Sequence, residues 1–283
     1  MTTQPSKLPT PDNAEHNAFF PSAFSLSQFT SSKSDLSGAD YAKPYRGKHK
    51  ILLIAADERY LPTDTGALFS TGNHPVETLL PMYHLHQAGF EFEVATVSGL
   101  MVKFEHWAMP NEDEAIVGLY NHYLPQFMRP RKLQDVVSQL TPDSEYAGVF
   151  IPGGHGALIG LPSSEVVAET LRWALANDRY VISLCHGPAA FLALSHGANP
   201  LQGYAICAFP DVADKQTPDI GYMPGQLTWF FGEQLQKMGL TLMNQDITGM
   251  VHKDRKVLTG DSPFAANALG KLAAEELLKA YVG

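Results

Sequence analysis

Tyr180-Val-Ile-Ser-Leu-Cys185-His186-Gly187-Pro188-Ala-Ala190 is the stretch that decides the fold. Its first five residues form an apolar run of strand length bounded by a turn signal, which predicts a buried strand. Gly187-Pro188 breaks that run, and Ala189 to Leu194 reads as a helix with Pro188 near its first position. Cys185 is thereby set on a tight strand-to-helix turn, with its sulfur facing a helix N-terminus. The unpaired N–H groups and partial positive charge there favour thiolate over thiol. With His186 adjacent, Cys185 reads as a nucleophile rather than a small buried packing residue.

The chain has 283 residues, 45% hydrophobic and 17% charged, enough for one large domain with a sizeable core. A net charge of -9 argues against non-specific binding to phosphate backbones or anionic lipid. Two cysteines, Cys185 and Cys207, make neither a disulfide framework nor a C-x-x-C pair, so a reducing, cytoplasmic setting is expected. The first residues lack a basic segment followed by an apolar one. No run of about 18 apolar residues occurs, so neither signal peptide nor membrane contact is expected.

Outward from the cysteine turn, strands and helices alternate. Ile51–Ala55, Glu91–Val97 and Tyr146–Ile151 read as strands. Helices are expected at Pro75–Gln87, Ser163–Ala176, Thr228–Met238 and Phe264–Tyr281, with Gly89 stopping the first. Short strands are expected at Tyr204–Ala208, Leu240–Met243 and Arg255–Leu258, and irregular loops at Asp57–Asn73 and 209–227. Residues 1–47, rich in Ser, Pro and Asp, read as an extended arm lying on the body or on a partner subunit. Residues 99–142, rich in Met, Trp and Tyr and including a helix at Lys132–Leu140, read as a small inserted lobe or lid. The alternation in 48–283 predicts an α/β domain: a mostly parallel sheet with helices on both faces. Ligands then sit beyond the carboxyl ends of the strands, where Ala55-Ala-Asp57, Pro152-Gly-Gly-His-Gly156 and Cys185-His186 fall.

The glycines at Gly153 and Gly154 let main chain approach a substrate closely, as an oxyanion hole requires. His155 between them and Gly156 has the type of a donor, but reads first as a solvent-facing turn residue. His186 is the nearest base to Cys185, and Asp214, with Asp211 as its rival, is the acid to orient it. Glu77, in the first turn of the Pro75 helix, is explained by the helix dipole alone. If it points at the cysteine, the two titrate as a coupled pair sharing a proton, which suits proton shuffling in a small carbonyl substrate. His84, His86 and Glu91 lie around the end of that helix. His86 and Glu91 have the residue types for a two-histidine, one-carboxylate metal site, with His106 or His122 as third ligand, although histidines also suit a helix C-terminus.

Val181-Ile-Ser-Leu-Cys-His-Gly-Pro188 and Val149-Phe-Ile-Pro-Gly-Gly-His-Gly-Ala157 resemble the ThiJ/PfpI (class I glutamine-amidotransferase-like) superfamily. Ala55-Ala-Asp-Glu-Arg-Tyr-Leu-Pro62, Phe69-Ser-Thr-Gly-Asn-His-Pro75, Asp214-Lys-Gln-Thr-Pro218 and Thr259-Gly-Asp-Ser-Pro-Phe264 are similar to its bacterial HchA branch. That branch comprises heat-shock holding chaperones also described as glyoxalase III and as protein/nucleic acid deglycase. The resemblance implies a flavodoxin-like fold assembled as a homodimer, with Cys185 as nucleophile, His186 and Asp214 completing a triad and Glu77 assisting. It implies zinc on His86, Glu91 and a histidine in the 120s. In an ungapped register that ligand falls at 123, where this chain has Tyr123, with His122 one residue earlier.

The expected activity is conversion of methylglyoxal, glyoxal or their early adducts on proteins and nucleotides to lactate or glycolate. It needs no glutathione or redox cofactor, and zinc is the one metal in question. The branch also implies unfolded client proteins as partners. The rival readings are a cysteine amidase or aminopeptidase, and a holding chaperone with no enzymatic activity.

Overall fold

A computed structural model describes residues 4–283. Seven strands form the central sheet: β1 (Lys50–Ile54), β2 (Phe92–Thr96), β3 (Arg131–Lys132), β4 (Tyr146–Ile151), β5 (Tyr180–Leu184), β6 (Val251–Asp254) and β7 (Val257–Gly260). Their order is β6-β7-β5-β4-β1-β2-β3. Every pairing is parallel except the β6–β7 hairpin at one edge.

Side chains alternate across the sheet as the period of two demands. Leu52, Ile54, Val149, Ile151 and Val181 face one way, into a core closed by α3 (Glu165–Ala176) through Val167, Ala168 and Leu171. Ile51, Leu53, Phe150, Ile182 and Leu184 face the other, onto α1 (Pro75–Gln87) and α4 (Ala266–Tyr281), which bring Leu79, Met82, Leu85, Leu269, Ala273 and Leu277. With both faces covered, the strands read as continuous apolar runs, and that is why they were legible in sequence.

Several elements differ from expectation. The loop at Asp57–Asn73 contains two strands, Tyr60–Pro62 and Leu68–Ser70. They form a second sheet with Thr10–Pro11 and Ala18–Phe20 of the N-terminal segment. Strands this short carry no readable period, and their partners lie about fifty residues away in sequence. Within the 1–47 segment, Ser22 caps a helix at Ala23–Phe29 and Tyr45 stacks on Phe90 at 4.6 Å; residues 1–3 lie outside the described residues.

The 99–142 segment contains α2 (Glu114–Met128), whose Ile116, Leu119, Tyr123 and Phe127 are buried with the α1 face of the sheet, and the edge strand β3. The expected 132–140 helix is the shorter Leu133–Val137. The helix expected from Thr228 begins at Phe231, because the Asp211 carboxylate accepts from the Gly232 and Glu233 N–H groups at 2.9 and 2.8 Å and fixes its N-terminus there. The strand expected at Arg255–Leu258 is shifted to Val257–Gly260, because Arg255 takes positive φ (54°) in the β6–β7 turn. No helix among the described residues is long and apolar enough to cross a membrane.

Candidate active site

The carboxyl ends of β4 and β5 lie side by side, and their following turns build one wall of a cavity of about 320 Å³. Cys185 leaves β5 with φ of 56°, one of four non-glycine residues among those described with positive φ. An L-residue held there costs about 1–3 kcal/mol, and the surrounding hydrogen bonds impose it. Its N–H donates to Gly260 of β7 at 2.9 Å and its C=O accepts from Phe209 at 2.9 Å. Gly153 passes so close behind that a Cβ on it would lie 2.7 Å from the Cys185 Cβ and 1.9 Å from Glu77 Oε2, which only glycine permits. Gly154 lines the cavity at φ 96°.

Cys185 Sγ lies 3.3 Å from His186 Nδ1, and His186 Nε2–H donates to Asp214 Oδ2 at 2.9 Å. Because Nε2 carries the proton and donates a hydrogen bond to the carboxylate, Nδ1 is left as a free base facing the sulfur. Asp214 ends a short helix, Asp211–Asp214, and is fully buried. Asp211, the rival acid, is committed to capping and does not join. His155 corrects its expectation as a solvent-facing turn residue. It is buried, donates through Nε2 to Asp214 Oδ1 at 3.1 Å, and lies against the His186 ring with centroids 3.9 Å apart. Burial pushes Asp214 upward, but the two imidazoles outweigh it and hold the carboxyl well below its ordinary range. Burial and then His186 push His155 down, so it stays neutral.

The resting thiolate expected from the helix terminus is not what the surroundings favour. Cys185 is 3% exposed, and burial, then the Glu77 carboxyl and Asp214, push its thiol well above the ordinary value. The His186 main-chain N–H opposes this and loses. Burial likewise raises Glu77 well above the usual carboxylate range, against the pull of Cys185 and the Gly154 N–H. The helix after Cys185 is moreover a run of 3₁₀ turns, Gly187–Ser195. Sulfur and carboxyl therefore both hold protons at rest, and ionising the sulfur requires a base. His186 Nδ1 is placed to be one. Cys207 is buried, with its thiol pushed up to about 12 by burial and then by Asp261.

A buried carboxyl and a buried imidazole of the cavity were not singled out from sequence. Glu105, in the 99–142 segment, is buried and accepts from the Thr71 hydroxyl at 2.6 Å. Burial raises its carboxyl to about 7. His74, the residue before α1, is buried and lowered to about 3 by burial and then by His155 and His186. Nothing local marks Glu105. His74 belongs to the Asn73-His-Pro75 string, whose asparagine Nδ2 donates to Ala56 O at 2.9 Å and Lys103 O at 2.7 Å, tying the turn after β1 to the 99–142 segment.

Donor atoms of His86, Glu91 and His122 lie within 4.8 Å of one another, a donor set suited to a divalent metal. Tyr123, 1% exposed, occupies the centre of that set: its hydroxyl donates to Glu91 Oε2 at 2.8 Å and meets His86 Nδ1 at 3.1 Å. His86 lies nine residues beyond Glu77 on one helix, about 14 Å at 1.5 Å per residue. His84 faces elsewhere, bonding Tyr41 at 2.7 Å and Asn267 at 2.6 Å, and His106 packs beside Phe104.

Residues 68–276 match the model of the DJ-1/PfpI family. The protein/nucleic acid deglycase HchA of Escherichia coli O1:K1 / APEC is 73% identical over all 283 residues, covering 100% of both chains. The protein of the same name from Shigella boydii serotype 18 is 72% identical over the same length. The crystal structure of glyoxalase III from Candida albicans superposes with a TM-score of 0.65 over 83% of this chain and 98% of that one, at 22% identity. At that identity the likeness is one of fold. The chain belongs to the DJ-1/PfpI family.

Proposed function

We propose that the protein is a cysteine-dependent, glutathione-independent glyoxalase and protein/nucleic acid deglycase. The observation that carries this reading is the chain Cys185 Sγ–His186 Nδ1–Asp214 at one wall of a small cavity. Its full-length similarity to the HchA deglycases supports it.

His186 Nδ1 takes the Cys185 proton as the sulfur attacks the aldehyde carbon of methylglyoxal, giving a hemithioacetal. Asp214 stabilises the imidazolium, as a buried carboxylate does in nucleophile–base–acid sets. The oxyanion forms beside the His186 N–H and the Gly153–Gly154 turn, then takes the proton from the His186 imidazolium, which completes the hemithioacetal and leaves Nδ1 a free base again. Proton transfer from the former aldehyde carbon to its neighbour, through His186 and Glu77, gives a thioester. Water then releases lactate and returns the proton to sulfur. Atoms balance as methylglyoxal plus water to lactic acid, with glyoxal giving glycolate. In the deglycase reaction the attacked carbon belongs to an early adduct on a protein or nucleotide, and the carrier leaves intact.

The described part of the arm (4–47) and the 99–142 segment flank this site, the first bringing Phe29 and the second Glu105 to the cavity. Phe264 at 73% and Phe29 at 52% exposure give its mouth an apolar rim, which supports a second role in holding unfolded clients. A cytoplasmic homodimer is the form proposed. Zinc on His86, Glu91 and His122 would pin the end of α1 and has no part in the chemistry at Cys185.

The test is lactate production from methylglyoxal without glutathione. Wild type turns over; Cys185→Ser loses at least 10³-fold in rate, as removal of a nucleophile does, yet still suppresses aggregation of a heated client. Full activity in Cys185→Ser, or turnover confined to short peptides, discards the reading.

A further inference from the structure

Among the described residues, three buried polar atoms without a hydrogen-bond partner belong to side chains lining the same cavity: His74 Nδ1, Glu77 Oε2 and Glu105 Oε2. A buried polar group left unpaired costs about 1–3 kcal/mol, so three around one small space point to a polar ligand that satisfies them. Glu77 adjoins the sulfur. Glu105 reaches the cavity from the 99–142 segment and His74 from the N-cap of α1, and the main chain of both is fixed. The Glu105 N–H donates to Asn73 O at 3.0 Å, and the His74 N–H donates to Gly153 O at 3.0 Å. Thr71 donates to Glu105 Oε1 and the His155 main-chain N–H approaches the carboxyl, while Oε2 has no hydrogen-bond partner.

We infer that Glu105 and His74 form a second-oxygen subsite, holding the oxygen on the carbon next to the one Cys185 attacks. The subsite makes the enzyme selective for compounds with vicinal oxygens, 1,2-dicarbonyls and α-hydroxy carbonyls, over monoaldehydes. It rests on the proposed dicarbonyl reaction and adds a residue to it. After hemithioacetal formation, His186, assisted by Glu77, removes the proton of the former aldehyde carbon while Glu105 gives its own proton to the neighbouring carbonyl oxygen, leaving an enediol. His186 returns its proton to the second carbon, and the hydroxyl on the first carbon surrenders its proton to Glu105, leaving the thioester. Glu105 suits this cycle because burial brings its carboxyl to about 7, where it exchanges a proton readily. The groups facing it are His155, Arg59, Glu77 and Tyr222.

The test separates the subsite from turnover. Ligand-observed NMR titration of Cys185→Ser protein compares hydroxyacetone, with two adjacent oxygens and no aldehyde, with acetone, which has one. Hydroxyacetone is expected to bind at least tenfold tighter at pH 6, and the gap to narrow at pH 8 as Glu105 loses its proton. Adding Glu105→Ala reduces the gap to under twofold. Adding Glu105→Gln, which keeps a donor and the side-chain shape, retains the gap and makes it independent of pH. In the Cys185 background Glu105→Gln lowers kcat for methylglyoxal at least tenfold, with KM and iodoacetamide alkylation of Cys185 within twofold of wild type. No gap in Cys185→Ser, or a gap indifferent to Glu105→Ala, overturns the inference. Wild type that makes no lactate overturns the proposed reaction while the binding result still decides the subsite.

Discussion

Cys185 and His186 are neighbours in sequence, yet the chemistry between them is set by residues far away. The sulfur is buried, close to one carboxyl and within the field of another, and all three push its thiol upward; in the proposed reaction His186, 3.3 Å away, takes the proton. Asp214 accepts from His186 Nε2 at 2.9 Å and in that reaction orients the imidazole. Asp214→Asn leaves two imidazoles without a charged partner and permits the wrong tautomer; turnover of methylglyoxal is expected to fall about 10²–10⁴-fold in the lactate assay, as for other triads that lose the orienting acid. At the other end of α1, the Tyr123 hydroxyl bridges Glu91 and His86 where a metal would draw on the same atoms. Tyr123→His exchanges that hydroxyl for an imidazole donor, and zinc affinity is expected to rise at least tenfold by calorimetric titration. Equal affinity in both proteins would show that the tyrosine does not compete with the metal.

At the scale of elements, α1 and α4 carry the site from behind. α1 presents Glu77 from its first turn, and α4 packs along it so closely that a Cβ on Gly270 would lie 2.9 Å from the Pro81 Cα and 2.8 Å from the His84 ring. Alanine is the better helix former by about 1 kcal/mol, but here the obstacle includes backbone, and overpacking costs about 1–3 kcal/mol. Gly270→Ala is therefore expected to lower stability, not raise it, in urea unfolding. The placement of Glu77 moves with it, so turnover falls as well. The 3₁₀ turns after Cys185 show the same division: Gly187-Pro188 made a break legible in sequence, while the type of helix that follows depended on how it packs under Ala157, Leu161 and Phe231.

Over the whole molecule, the buried site ties stability to pH in two opposing ways. His74 titrates at about 3 when folded, below its ordinary 6.5. As pH falls below 6.5 the unfolded chain takes up a proton that the folded one refuses, so stability drops by about 1.4 kcal/mol per pH unit. Glu105 is raised from 4.5 to about 7. The folded chain holds that proton longer, so stability drops by about the same amount per unit as pH rises from 4.5 to 7. Between 4.5 and 6.5 the two slopes offset. Relative to wild type, urea midpoints across that range are expected to slope more steeply upward with pH in Glu105→Gln and more steeply downward in His74→Asn, since Glu77 and His155 contribute alike to all three proteins. Parallel curves in both variants would show that neither group is held as its burial implies.

The sequence by itself determined the α/β alternation, the covered parallel sheet and the cysteine turn, because each rests on local signals: continuous apolar runs, helix caps and a glycine-proline break. It also held Cys185 next to His186 and put Tyr123 one residue after His122. Tertiary structure alone decided that Asp214 meets His186 while Asp211 caps a helix. It alone turned His155 inward, brought Glu105 and His74 into the cavity, and placed a hydroxyl between His86 and Glu91. It decided the proton on the sulfur too. A residue's type and its neighbours in the chain fix what it can bond, but its ionisation follows the water removed and the charges gathered around it when distant segments close together.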